Sequence, residues 1–271
     1  MRRTGPPSGR PPPRNREGSA VTATTELPTR RDEAWRYSAV EKLRAGDLDT
    51  VRQIDVAAGD NAREVLLVSD ENSGEKEIHR LKVNVGENAR FEIFGVIASA
   101  DYARLEVEVT LARGAHFELG GITVGGRDTV REFVTRVVHA EPEGTSNQTV
   151  RSVHWGQGTG SFLGSIDVVR HAQKTDAAQD FKGLLLEKGA TVNAVPQLEI
   201  FADDVKCAHG ATVGQLDESA RFYMAARGLP PELSRRLLVQ AFIGDALVSL
   251  DDEDEQERLL RAALDKLDKH L

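Results

Sequence analysis

Residues 105–126 read LEVEVTLARGAHFELGGITVGG, and their alternation decides the fold class. Leu105, Val107, Val109 and Leu111 alternate with Glu106, Glu108 and Thr110, as a strand with one buried face requires. A short turn, Ala112-Arg113-Gly114-Ala115, then leads into a second run from His116 to Val124. Working outward, similar runs occupy Ile78 to Val85, Ala89 to Ile97, Val130 to Val138, Phe162 to Val169 and Thr191 to Phe201. Related Gly-Ala turns, Val85-Gly86-Glu87-Asn88-Ala89 and Glu187-Lys188-Gly189-Ala190, punctuate them. Many short strands with repeating turns and no helical period between them imply a sandwich, a barrel or a coil of stacked strands. Periodicity does not choose among these three.

Beyond Gln215 the apolar period changes to that of a helix. Asp217 is placed to cap a helix ending near Arg227, and Gly228 suits the left-handed position that closes it. Pro230-Pro231 opens another helix with Leu233, Leu237, Leu238, Ala241 and Phe242 on one face. A loop holding six acids in Asp251 to Glu257 precedes a last helix striped by Leu260, Ala263, Leu264, Leu267 and Leu271. Near the start, a short helix is expected from Arg31 to Ala45, with Trp35 and Val40 available for docking. The expected division is a disordered Pro/Arg-rich tail (1–31), a short helical segment (32–60), a β core (61–215) and a C-terminal helical domain (216–271).

Composition narrows the class of function. A net charge of −8 disfavours a general nucleic-acid binder, which needs a basic face. One cysteine excludes an internal disulfide and any cluster held by four thiolates of this chain. No run approaches the roughly 18 apolar residues of a membrane helix, and no secretory signal core is present, so the cytoplasm is the expected compartment. Proline clusters at Pro6-Pro7 and Pro11 to Pro13 argue against an amphipathic transit helix in the basic tail. No phosphate loop, GxSxG elbow or HExxH pair occurs, and Gly156, Gly158 and Gly160 precede a strand pattern rather than a helix, so no nucleotide loop is expected.

The candidate site is the pair Cys207 and His209. At i and i+2 of an extended segment, thiol and imidazole share one face, offering sulfur and nitrogen donors to a metal. Glu199, Asp203 and Asp204 are nearby oxygen donors, though acids at turns are more often simply solvated. The remaining histidines, His79, His116, His139, His154, His171 and His270, show no ligand spacing and are expected as surface or strand residues.

The stretch Pro196-Gln197-Leu198-Glu199-Ile200, then Asp203 through Cys207-Ala208-His209-Gly210-Ala211-Thr212-Val213-Gly214, then Phe222-Tyr223 and Arg227-Gly228, resembles the C-terminal core signature of the SufB/SufD family. These are scaffold subunits of the SUF iron–sulfur assembly machine. Gly164 to Val169, Ala172 to Ala177, Leu184-Leu185-Leu186 and Glu33-Ala34-Trp35-Arg36-Tyr37 also fit, and the His-Gly-Ala-Thr-Val-Gly form is similar to the SufD branch.

The resemblance implies a right-handed parallel β-helix core with a C-terminal helical cap. It also implies a non-catalytic SufD-like scaffold subunit that pairs with a SufB-like subunit and docks a SufC-like ATPase through the C-terminal helices, with Leu237, Ala241 and Phe242 as anchors. No cofactor is expected to be stably bound. Transient iron or an iron–sulfur cluster at the partner interface would engage Cys207 and His209. A SufD paralogue without a cluster role, and a β-helix carbohydrate-active enzyme, are the alternatives. The chain is shorter than a usual SufD, mainly in the N-terminal region.

Overall fold

The computed structural model describes residues 27–69 and 74–270. The expected basic tail falls almost wholly outside them, as does Leu271 of the last apolar stripe. Among these residues twelve strands form two parallel six-stranded sheets, one ordered β1-β3-β5-β7-β9-β11 and the other β12-β10-β8-β6-β4-β2. Odd and even strands alternate between the sheets, so the chain winds as a β-solenoid. The strands are β1 (Arg52–Val56), β2 (Asn61–Val68), β3 (Lys76–Val85), β4 (Arg90–Ile97), β5 (Tyr102–Leu111) and β6 (His116–Gly125). They continue as β7 (Val130–His139), β8 (Thr145–His154), β9 (Thr159–Val168), β10 (Asp176–Leu185), β11 (Thr191–Ile200) and β12 (Lys206–Gly214).

The turns stack as regularly as the strands. Gly59, Asn88, Gly114, Glu143 and Lys174 all have positive φ. Each donates its backbone N–H to a carbonyl of the next turn: Glu87, Arg113, Pro142, Gln173 and Asp204 in succession. A ladder of left-handed residues therefore runs along one edge, explaining the recurrent Gly and Asn seen in sequence. At Gly114 the side-chain amide oxygen of Asn88 leaves no room for a Cβ.

Between the sheets lies an apolar core of Val83, Phe91, Ile93, Leu105, Val107, Val109, Phe117, Leu119 and Phe133, among others. Phe162 stacks on Phe181 at 5.6 Å further along. A second core lies outside. The helices α1 (Glu218–Ala226), α2 (Pro231–Gly244) and α3 (Glu253–Asp268) follow the strands. A 3₁₀ turn, Asp245–Leu247, lies between α2 and α3. Val239, Ile243, Leu247, Leu259, Ala263, Leu264 and Leu267 pack on Phe94, Val96, Ile122, Val124 and Val153, which point outward from the even-numbered sheet. The helices thus flank that sheet and do not close an end of the solenoid, as a terminal cap would. Arg151 fixes the joint by donating to Asp180 and Asp245, and the Arg151 guanidinium holds the Asp245 carboxyl below its usual range.

Several expectations hold in detail. Asp217 caps α1 by accepting from Ser219 N (2.8 Å) and Ala220 N (3.3 Å), and Gly228 closes the helix at φ +84. Pro231 opens α2. Two expectations change. The acidic run is not a loop: Asp252 caps α3, and Glu253, Asp254 and Glu255 form its first turn, where negative charge meets the positive end of the helix dipole. The expected helix at Arg31 to Ala45 is two 3₁₀ turns, Glu33–Trp35 and Val40–Lys42, and β1 begins at Arg52, within the segment expected to be helical.

Tertiary contacts override local propensity in that N-terminal segment, because it is laid across the outer face of the odd-numbered sheet. Ala39 and Leu43 are buried there beside Tyr102, with Trp35 and Val40 packed against them. Trp35 lies over the Arg104 guanidinium at 3.8 Å. Ser38 donates to Glu132 at 2.9 Å, and Gln197 on β11 donates to Glu33 at 2.7 Å.

Candidate functional site

The last turn of the solenoid carries the candidate pair. β11 and β12 are edge strands of their sheets, each paired on one side only, as β1 and β2 are at the other end. Cys207 and His209 lie within β12, on an extended segment as expected. Their side chains alternate to the same face, Cα atoms about 6–7 Å apart along the strand. Register sets Cys207 beside Ala177 and His209 beside Gln179 on β10. Since Ala177 and Gln179 line the interior, the pair faces the solenoid axis at its uncovered end.

The two donors differ in environment. Cys207 is half-buried and packs with Ile166, Val168, Ala172 and Ala177 in a small apolar cluster. Burial, with the Asp176 charge close by, pushes its thiol above the usual range, so it is a thiol at neutral pH and must release a proton to bind a metal. His209 is exposed. Directly behind it stands Gln179, which is buried and has neither side-chain oxygen nor nitrogen bonded. Gln148 of β8 is the next residue in that register, its amide oxygen accepting from Thr135 at 2.5 Å while its nitrogen is unbonded. A polar ladder, Gln148, Gln179, His209, therefore leads from the interior to the open end.

The oxygen donors are not brought into this face. Glu199 sits beside Asp167, one residue out of phase with the inward-facing Leu198 and Ile200. Asp203 and Asp204 lie in the turn between β11 and β12, where the Asp204 backbone N–H donates to Gln173 and its carbonyl accepts from Lys174. Among the described residues, no three His, Cys, Asp or Glu side chains come together as a ready-made metal cage. What this chain offers is one thiol and one imidazole, a half-set that suits iron or zinc only when others complete it.

Exposed apolar side chains stand among the exposed polar Gln197, Glu199, Lys206 and Thr212 of the last two strands. Phe201 is 64% exposed and Val213 49%. On α1, Phe222 and Tyr223 are also exposed. Of the three expected anchors on α2, Leu237 and Ala241 are exposed and fall in line with exposed Leu233. Phe242 is rotated inward and packs partly against the core beneath the helices, because Ile243 and Val239 fix the buried side of α2. The exposed stripe is therefore Leu233, Leu237 and Ala241.

Two histidines that the sequence placed at the surface or on strands without a special role are wholly buried inside the solenoid. Burial holds His139 neutral, at about 4, and burial together with the Arg131 charge holds His154 at about 3. His270 stacks on Trp155 at 4.6 Å and pairs with Glu187 at 3.1 Å. No helix among the described residues is long and apolar enough to cross a membrane.

Residues 32–242 match a family described as the SUF system FeS cluster assembly, SufBD core domain. The iron–sulfur cluster assembly protein SufD of Escherichia coli is 39% identical over 115 residues, covering 42% of this chain and 27% of its own. An iron–sulfur cluster assembly SufBD family protein of Synechocystis is 30% identical over 207 residues, covering 76% of this chain and 46% of its own. The chloroplastic protein ABCI7 of Arabidopsis thaliana is 30% identical over 209 residues, covering 66% and 44%. The matches thus span less than half the length of these curated relatives.

Proposed function

Because the chain belongs to the SufBD core family of the SUF system, we propose that it is a cytoplasmic, non-catalytic, SufD-like scaffold subunit. It pairs its open solenoid end with a SufB-like chain and presents Cys207 and His209 to a nascent iron–sulfur cluster, which is cargo. The uncovered end carries this reading. Two unpaired parallel edges can receive another solenoid coil on coil, as exposed strand edges template further pairing. A half-set of donors on the same end is what a shared site between two subunits would need. The thiol supplies a soft anionic ligand once its proton has left; the imidazole, exposed and hinged on an edge strand, supplies a second donor that a partner can reach.

The stripe Leu233, Leu237 and Ala241 is the natural surface for a SufC-like ATPase, because it projects from a helical layer already anchored to the sheet by its opposite face. Interfaces concentrate their energy in a few such central apolar residues.

Reconstitution with SufB-like and SufC-like subunits tests both surfaces. His209→Ala is expected to lower cluster yield several-fold while complex formation persists. Its stability should change by about 0.5 kcal/mol or less, as for other exposed positions. Unchanged yield would remove His209 from the cluster site. Leu237→Glu is expected to abolish SufC-like ATPase binding with the melting temperature unaltered; retained binding would move the docking surface elsewhere.

A further inference from the structure

The solenoid interior changes character halfway along. Inward positions of β5 are Ala103, Leu105, Val107, Val109 and Leu111, all apolar. On β7 and β8 they include Arg131, Thr135, His139, Ser146, Gln148, Ser152 and His154, all buried. Arg131 is 0% exposed, and none of its three guanidinium nitrogens has a hydrogen-bond partner among the described residues. Removing a cation from water without an ion pair costs several kcal/mol.

The guanidinium keeps its charge. Burial lowers it only to about 10, with Asp101 acting in the opposite direction. Asp101 itself is largely exposed and engaged with Lys42 at 3.3 Å, so it does not neutralise Arg131. The inward-facing residues of β5 to β10 include no carboxylate; Glu132, adjacent in sequence, faces the other way and pairs with Arg104. His154 and His139 are neutral. Between β5 and β10 the interior therefore holds one positive charge that no inward-facing carboxylate meets; Glu77, in the same register column on β3, is engaged with His79. Hydroxyl donors stand nearby: Thr123 and Ser152 share a hydrogen bond of 2.7 Å, and Thr123 also meets His154 Nε2 at 3.2 Å. Register pairs Gly125 with His154 and Gly160 with Arg131. Both glycines are close-approach points: a Cβ at Gly125 would stand 3.0 Å from Arg131 Cζ, and one at Gly160 would collide with Ser152 Oγ and His154 Nε2.

We propose that Arg131, with Thr123, Ser152 and His154 beside it, binds a small inorganic monoanion of halide size inside the solenoid. One net charge calls for one monoanion, and the side chains crowded against Gly125 and Gly160 favour a small one. Arginine and hydroxyl donors in a buried site are the chemistry that holds such an ion.

Bromide is the probe. At constant ionic strength, replacing sodium gluconate, whose anion is too large, by sodium bromide should raise the melting temperature of the full chain saturably. At ten times the dissociation constant the folding equilibrium shifts about tenfold. Arg131→Met should abolish the difference between the two salts, and crystals grown in bromide should show an anomalous peak at the Arg131 guanidinium. Should the variant not fold, the wild-type crystal decides alone. Waters on the three nitrogens in place of a bromide peak, or a bromide effect that persists in Arg131→Met, would overturn the site.

Discussion

Arg104→Leu is expected to lower the free energy of unfolding by about 3–5 kcal/mol, the cost of breaking a buried ion pair from one side. Arg104 is 1% exposed and joins four partners at once. It donates to Glu132 at 3.2 Å, to Glu106 at 3.0 Å, to the Ala34 carbonyl at 3.0 Å and to Ser38 at 3.3 Å. Its guanidinium also covers the Trp35 ring. Without it Glu132, fully buried on the neighbouring strand, keeps only its bonds from Ser38 and Tyr102.

The pH dependence has a definite sign. Burial already holds the Glu132 carboxyl above its usual range, with Arg104 the largest opposing influence. Losing Arg104 raises it further. A carboxyl raised in the folded state favours folding while protonated and loses that contribution as pH climbs through its folded value. The deficit of the variant should therefore be small in acid and full at neutral pH. Chemical denaturation at several pH values measures it, and Arg104→Leu with Glu132→Gln should recover much of the loss. A deficit under about 1 kcal/mol at neutral pH would mean that the N-terminal segment adds little to the fold.

Gly120→Val is expected to detach the helical layer. Gly120 lies on the outward face of β6, where a Cβ would run into the Ala246 carbonyl oxygen and the Phe94 ring. Neither can give way: Ala246 lies in the buried 3₁₀ turn, and Phe94 anchors the outer core. Overpacking of this kind costs about 1–3 kcal/mol and can exceed that where backbone opposes the new group. Limited proteolysis should release fragments from beyond residue 215, and the uncovered face with Phe94, Val96 and Ile122 should bind a hydrophobic dye. Gly210→Ala is the control, since its nearest neighbour would be Asp180 Oδ1 at 3.4 Å. Equal protease resistance of the two variants would show that the helices are held independently of this contact.

The sequence made some strands obvious and hid others for one physical reason. β5 and β6 alternate plainly because their inward residues are apolar. β8 and β10 escaped notice because few bulky apolar residues mark their inward face: Ser146, Gln148, Ser152 and His154 flank Val150 on β8, and Ala177, Gln179 and Gly183 flank Phe181 on β10, which blurs the period-two signal. The Cys207 and His209 pairing was visible, since i and i+2 adjacency is local to a strand. Gln179 behind His209 was not, because only strand register joins them. Likewise Trp35 and Val40 announced a docking segment, but its backbone form depended on Arg104 and Glu132, far away in sequence.

The stacked left-handed turns give the molecule a mechanical character. Among the described residues each coil is hydrogen-bonded to the next at its corner as well as along both sheets, which stiffens the solenoid against bending. The helices are bolted to its side over β4, β6 and β8, while Cys207 and His209 sit at its tip on β12, about 14 Å beyond β6 at strand spacing. In a body so stiffened, a push on the helices would swing the tip as a lever arm swings, carrying thiol and imidazole together toward or away from whatever faces them.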